Sequence, residues 1–429
     1  MAKVIPFRGI RYNQEKVMNI SDVVTPPYDI IDDKAQKMFY ERHPYNSIRL
    51  ELGYQFPDDS EKENRYTRAA YNFRKWLDEG VLIRESRDAL YLYEQQFYIN
   101  NVNHTRTGFF ARVKLEDFST GKILPHEETL SKPKADRLAL MSECVANFSP
   151  IFVFYVDEDM TLDQEYEKVK ESQSEIELTD DLGEQHRIWV MTDPKLNEKI
   201  TTTLANQVLY IADGHHRYET ALEFYRQNRD KYPESSYVLI YLVNACDPGM
   251  VVLPTHRIVH SLLNFDLSSF LKKLEKYFYV EKIDSQEKDL ASLLKKQQDS
   301  GKTAFIMGTG ESALYLVILR ETGSVEVSSP GKSPAWCSLD AAVLQTLIFQ
   351  KILNISPEKI ADQENITYTR EDATALNALN QNAQLAFLLN PTKISEIIKV
   401  ASAGDKMPQK STYFYPKLLT GLVINDLKG

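Results

Sequence analysis

The stretch "QVLYIADGHHRYETAL", residues 207 to 222, runs an apolar strand-like segment into a stripe of helical period with only Asp213 and Gly214 between them. Few local structures accept that join. "QVLYIA" reads as a strand, the Asp-Gly pair as a tight turn, and Tyr218, Ala221, Leu222 and Tyr225 as the apolar face of a helix starting at His215. His215, His216 and Arg217 then fill the first helical turn, where the macrodipole already places partial positive charge. Three basic side chains at that end cost stability unless something negative joins them. A phosphate meets the need: first-turn amides, the planar fork of Arg217 and two imidazoles as tunable donors make an anion site of the kind nucleotide phosphates use.

Narrower explanations compete with this one. Asp213 can serve only as a helix N-cap, with Gly214 giving backbone freedom. Adjacent helical residues point about 100° apart, unlike the i, i+4 histidines of zinc proteases, which disfavours a metal held by both His215 and His216. One histidine hides easily in a core, but two beside an arginine do not. The phosphate site is therefore the favoured reading.

Three further stretches carry related chemistry. "LPHEETLSKPKADR" gathers His126, Glu127, Glu128, Lys132, Lys134, Asp136 and Arg137, mixing candidate general bases with phosphate-binding cations, and a solvated charged loop is its plain alternative. "LPTHRIVH" puts His256 and Arg257 after a strand, where a strand-end turn would also explain them. "MPQKSTYFYPK" holds Lys410, Ser411, Thr412 and Lys417; its "KST" is like the end of a phosphate loop, but the glycines that let amides cradle phosphate are missing. "SSPGKSP" lacks the full spacing as well, so a P-loop enzyme is excluded.

Elsewhere strands and helices alternate irregularly. Pro26 and Pro27 hold "VVTPPYDIID" extended before a helix capped by Asp29, "NSIRLEL" reads as a strand, residues 62–78 as a helix, and "ALYLYEQQFYI" with "TRTGFFARVKLEDF" as a hairpin. "FSPIFVFYV" and "RIWVMTD" read as strands flanking an amphipathic helix. Beyond about residue 262 the chain turns Lys-, Glu- and Gln-rich with helical spacing to 300, then gives short strands "TAFIMGT", "ALYLVILR" and "SVEVSS", and is mostly helical over 338–380. This pattern predicts a mixed α/β (α+β) fold with more than one sheet and a boundary near 261.

Charge and cysteine usage narrow the partners. A net charge of -10 argues against a surface made for long nucleic acid or an anionic membrane. The three cysteines, Cys144, Cys246 and Cys337, form no CxxC pair and read as reduced thiols. Apolar runs such as "YVLIYLV" are too short to span a bilayer, and "MAKVIPFRGI" lacks a signal-peptide pattern, so a cytoplasmic location is expected.

Taken together, "IPFRGIR", "VVTPPYDII", "HPYNSIRLEL", "PHEETLSKPKADRL", "ADGHHRYETAL", "LPTHRIV" and "MPQKSTYFYPKL" resemble, over nearly the whole chain, a widespread bacterial family known mainly as a domain of unknown function. That family is similar to the ParB and sulfiredoxin-like superfamily, whose members bind nucleotide through a Gly-x-x-Arg motif at a helix start. Asp213, Gly214, His215, His216 and Arg217 give the Asp-Gly-His-His-Arg version that free-serine kinases carry. His215 stands where sulfiredoxin has its nucleophilic cysteine, which excludes sulfiredoxin chemistry by residue type. The resemblance implies a ParB/sulfiredoxin-like nucleotide-binding region over 1–261, with an inserted segment at about 60–205, and a C-terminal α/β domain over 262–429. It implies a phosphotransferase using ATP or ADP with Mg2+ on a small hydroxyl compound, free L-serine foremost. Gly214, His215 and Arg217 would hold phosphates, Asp213 would bind Mg2+ or orient the acceptor, His216 would stabilise the transferring group and Glu127 would be the base. Lys134, Arg137, His256, Arg257, Lys410, Ser411 and Thr412 would complete the phosphate and nucleotide contacts. A ParB-like regulatory module without turnover and a metal-dependent phosphoesterase are the alternatives.

Overall fold

The computed structural model describes residues 2–129, 131–284, 289–310, 313–321 and 323–429. Residues 285–288, inside the stretch read as helical, lie outside them. By its contacts the chain divides into two units, the first made of Met1–Pro125, Thr129–Val251 and Pro416–Gly429, the second of His126–Glu128 and Val252–Tyr415. The division falls at Val251 rather than at 261, and the last fourteen residues return to the first unit instead of ending the second.

The first unit is organised by a nine-stranded mixed sheet. Its strands are β1 (Val4–Ile5), β2 (Leu90–Ile99), β3 (Val102–Lys114), β4 (Ile123–Leu124), β5 (Ile151–Tyr155), β6 (Ile176–Thr179), β7 (Gln185–Met191), β8 (Leu209–Asp213) and β9 (Tyr237–Asn244). They lie in the order β4-β8-β5-β9-β3-β2-β7-β6, with β1 pairing β3 beside this path. β8 runs parallel to β4 and β9 parallel to β5, while the other pairs are antiparallel.

Burial explains why the central strands read as continuous apolar runs. Leu90, Leu92, Phe109, Ala111, Val113, Ile151, Val153, Ile240 and Leu242 share one core, and the alternate residues Tyr91, Tyr93, Phe110, Phe152, Phe154 and Tyr241 are buried too. Both faces are covered, so the period-2 signal disappears. Helix α1 (Arg65–Asp78) starts at a capping box in which Asn64 accepts from Thr67 N, and it packs on α2 (Ser131–Cys144), which packs in turn on α3 (His215–Asn228). Pro416–Gly429 is tied in by Asn425–Asp426 pairing with Ala146–Asn147.

The second unit carries a six-stranded sheet of β10 (His256–His260), β11 (Phe278–Lys282), β12 (Ala304–Thr309), β13 (Leu314–Leu319), β14 (Ile366–Thr369) and β15 (Ala383–Leu388), in the order β11-β13-β12-β15-β10-β14. Its core includes Ile306, Leu316, Ile318, Ala386 and Leu388.

Several local expectations are corrected. "NSIRLEL" is a helical turn over Ile48–Glu51, because the Asn46 side chain accepts from Ile48 N and bends the chain at its start. The helix after the prolines runs Asp33–Arg42 and is capped by Asp32, whose carboxylate accepts from Ala35 N, while Asp29 sits in the preceding 3-10 turn. "SVEVSS" belongs to the helix Gly323–Ser328, where Val325 is buried and Val327 exposed. Short apolar alternation of this kind does not separate helix from strand. β11 and β14 also interrupt the two stretches read as helical.

Gly108 marks how closely β3 and β9 approach. A Cβ there would lie 2.4 Å from the Leu242 carbonyl oxygen, a backbone atom that cannot yield without moving the strand. Gly108→Ala should therefore cost about 1 to 3 kcal/mol, the usual range for overpacking, read as a lowered urea midpoint at unchanged m-value.

Candidate functional site

β8 reaches the motif through an irregularity. Its register against β5 shifts between Ile211 and Asp213, a bulge that re-aims the Asp213 side chain. Gly214 follows with φ 88°, the left-handed conformation that a residue with a Cβ resists. It has a second reason to be glycine: a Cβ would come within 2.9 Å of the Arg217 guanidinium. That space lets Arg217 fold back across the turn. Its Nη2 donates to Asp213 Oδ2 at 2.7 Å, and its Nη1 donates to the Pro150 carbonyl at the entry to β5. Lys417 Nζ takes the other carboxylate oxygen, Asp213 Oδ1, at 2.6 Å.

Asp213 is therefore shared by two cations. Burial alone would raise its carboxyl, but Lys417 and Arg217, with His215 behind them, hold it well below the usual carboxylate range. The positive charge at the helix start is thus partly matched from within the fold, where the sequence alone showed it unopposed. Two cations, Arg217 and Lys417, thus converge on one carboxylate. His215 is buried and His216 half-buried, and Gly214 offers no side chain to cap the first-turn amides.

Arg137 is built into a second network. It is only 5% exposed, donates from Nη1 to Glu51 Oε1 at 3.1 Å and from Nε to Asp136 Oδ2 at 2.8 Å, and lies 3.9 Å from the centroid of the Tyr28 ring. Ser149 donates to the same Glu51 oxygen, and Arg65 and Tyr66 hold Asp136. Glu51, Arg137, Ser149, Arg217 and Thr220 line a common pocket of about 40 Å³. Such a volume admits water and not a nucleotide. Lys134 pairs with Glu219 of α3 at 2.9 Å, and Glu219 also accepts from Thr129. The Lys132 side chain lies outside the described residues.

The remaining expected residues belong to the second unit. Buried His126 has Nε2 at 2.9 Å from Thr412 Oγ1, and Glu127 accepts from the Lys410 amide at 3.3 Å. Lys410 has φ 57° and an exposed side chain, while Ser411 is buried and donates to the Pro408 carbonyl. His256 and Arg257 do not sit in a turn but open β10, both buried. His256 Nδ1 accepts from Leu389 N at 3.2 Å and its Nε2 lies 2.7 Å from Asp372. Arg257 donates to the Lys410 carbonyl at 3.1 Å, and burial pulls its guanidinium down to about 10.

The structure thus joins Asp213, Gly214, Arg217 and Lys417 in one cluster and sets Arg137 beside Arg217. Lys417 was visible only as part of an incomplete phosphate-loop look-alike, and Glu51 was hidden by its reading as a strand residue.

The chain belongs to a protein family of unknown function, DUF1015, whose profile matches residues 4–342. No curated protein matches it significantly. Among solved structures it is similar to a free serine kinase in complex with ADP at 12% identity and a TM-score of 0.37, over 73% of this chain and 92% of that one. A conserved hypothetical protein from Pyrococcus furiosus matches at 12% identity and TM-score 0.36, over 73% and 95% of the two chains. SbnI with a C-terminal truncation from Staphylococcus aureus matches at 10% identity and TM-score 0.35, over 72% and 85%. No helix among the described residues is long and apolar enough to cross a membrane.

The depressed carboxyl of Asp213 gives a signed pH effect. Its folded value lies below the ordinary 3.8, so the stability it adds is whole above that pH and drains away as pH falls toward the folded value. The difference in melting temperature between the wild type and Asp213→Asn should be constant from pH 7 to about 5 and shrink below about 4. A difference that stays level down to pH 2.5 would show that Asp213 keeps its ordinary proton affinity.

Proposed function

We propose that this protein is a nucleotide-dependent phosphotransferase acting on a small hydroxyl metabolite, with free L-serine the leading acceptor and ATP or ADP the nucleotide. The observation that carries the reading is the convergence of two cations, Arg217 and Lys417, on Asp213 at the glycine-capped start of α3. Backbone amides at a helix start, with fixed cations beside them, favour a phosphate without reorganisation during transfer. The Asp-Gly-His-His-Arg resemblance to free-serine kinases supports the same choice, and with it a ParB/sulfiredoxin-like core for the first unit.

Roles follow from charge and position. Arg217, His215 and the first-turn amides bind phosphate, and His216 stabilises the transferring group. Lys134 is assigned to phosphate contacts, and buried Arg137 to holding its segment in place. Asp213 is a poor direct Mg2+ ligand because both its oxygens are engaged by cations. Its role is to aim Arg217 and Lys417.

Full-length protein given ATP or ADP with Mg2+ and a panel of small hydroxyl metabolites should yield a phosphorylated acceptor by mass spectrometry. Binding without any phosphorylated product would instead favour the regulatory module, and phosphate release from phosphoesters without nucleotide the phosphoesterase.

Arg217→Ala should weaken nucleotide binding by about 10- to 150-fold, from about 1.5 to 3 kcal/mol for a charged hydrogen bond. Because Arg217 is paired, its removal should lower the melting temperature of the ligand-free protein, not raise it as an unpaired cation at a helix N-terminus would. His216→Ala, at a half-buried position, separates lost affinity from lost stability. Calorimetric titration alongside thermal melts reads both, and unchanged nucleotide affinity in both variants would overturn the phosphate site.

A further inference from the structure

At the far edge of the first unit's sheet from β4 and β8, the hairpin between β6 and β7 carries "TDDLGEQH", residues 179 to 186. Asp180 builds the turn with one oxygen: Oδ1 accepts from Leu182 N and Glu184 N, both at 2.9 Å, while Gly183 turns the chain at φ 81°. The other oxygen, Oδ2, faces His186. The ligand atoms of Asp180, Glu184 and His186 all lie within 4.8 Å of one another, and Glu184 and His186 are buried.

His186 is the feature that a plain turn does not explain. The ring is fully buried, and its Nδ1 is 2.7 Å from the Tyr93 hydroxyl, on whose ring it stacks at 5.9 Å. Nε2, also buried, is aimed into the cluster, where it meets Asp180 Oδ2 only as a long ion-pair contact at 3.5 Å. Leaving a buried ring nitrogen in that state is costly, and a metal ion is a partner that would use it. The partner on Nδ1 is the second requirement of a ligating imidazole: a group that fixes the ring and takes the other proton.

We propose that Asp180, Glu184 and His186 form a binding site for a divalent transition-metal ion that staples the β6–β7 hairpin. One imidazole and two carboxylates are the mixed N and O donors that suit Zn2+ or Mn2+, with water filling the remaining positions, whereas Mg2+ and Ca2+ select all-oxygen sets. Bonds of about 2.0 to 2.2 Å would draw the three ligand atoms, all within 4.8 Å of one another, closer together. The edge position gives the ion a mechanical role, since an edge hairpin has a neighbouring strand on one side only. The site is independent of the phosphotransferase reading.

Calorimetric titration of the metal-stripped full chain with Zn2+ tests it, with Mg2+ as the hard-cation control and thermal melts in parallel. The expected result is saturable binding of one Zn2+ per chain with a raised melting temperature, and no comparable effect of Mg2+. Asp180→Asn keeps the turn-forming acceptor and should still lose about tenfold or more in Zn2+ affinity, as should Glu184→Gln. His186→Ala should abolish binding, with circular dichroism to establish that the variant folds. Cys246→Ser removes an exposed thiol and should leave the affinity unchanged. Absence of saturable Zn2+ binding, unchanged affinity in Asp180→Asn, or loss of binding in Cys246→Ser alone would overturn the proposal.

Discussion

The carboxylate of Asp213 is the point on which the start of α3 depends. Strand β8 delivers it, helix α3 returns Arg217 to it, and the segment from Pro416 supplies Lys417 from 204 residues further along the chain. All three side chains are at most one-fifth exposed, so the pairs escape most of the screening that makes surface ion pairs weak. Removing any one member leaves a charge in a place built for compensation, which costs more than the pair contributes in net stability. Gly214 permits the arrangement twice over, by its positive φ and by the missing Cβ that clears the guanidinium's path.

The sheet beneath serves as the rigid reference for this cluster. With both faces buried, the central strands cannot slip by one residue without carrying aromatic side chains from one packed layer into the other. Tyr91, Tyr93 and Tyr241 put hydroxyls into that interior, and each finds a partner: Tyr91 at the Phe7 carbonyl, Tyr93 at His186 and Tyr241 at the Tyr93 carbonyl. The bulge before Asp213 and the turn at Gly214 are local departures from regular geometry set against this fixed background.

Legibility in the sequence followed the physics of each segment. The strand, turn and helix around Asp213 were readable because strand propensity, a glycine and a helical stripe agree there, and the same agreement marked the long β2–β3 hairpin. Where a short apolar run was the only signal, as in "NSIRLEL" and "SVEVSS", the pattern misled: in the first the Asn46 side chain bends the chain at Ile48, and in the second one valine is buried and the other exposed. The site was half legible. The concentration of cations at the start of α3 was visible, but its counter-charge was not, because Asp213 looked like a cap and Lys417 is distant in sequence. Arg137, His256 and Arg257 looked like ligand-binding residues on charge alone; their carboxylate, carbonyl and ring partners come from positions no local pattern connects.

The path of the chain has a consequence for how the protein is made. Residues 252–415 form a unit of their own between two parts of the first, so that first unit lacks Asn425, Asp426 and Lys417 until synthesis has passed through its neighbour. At about 5 to 20 residues per second, the 204 residues separating Asp213 from Lys417 correspond to roughly 10 to 40 s of translation. During that interval, of the two salt-bridge partners of Asp213, Arg217 alone has been synthesised. The arrival of Lys417 acts as a late latch on the strand-turn-helix segment, one that closes only after the chain has been made past residue 415.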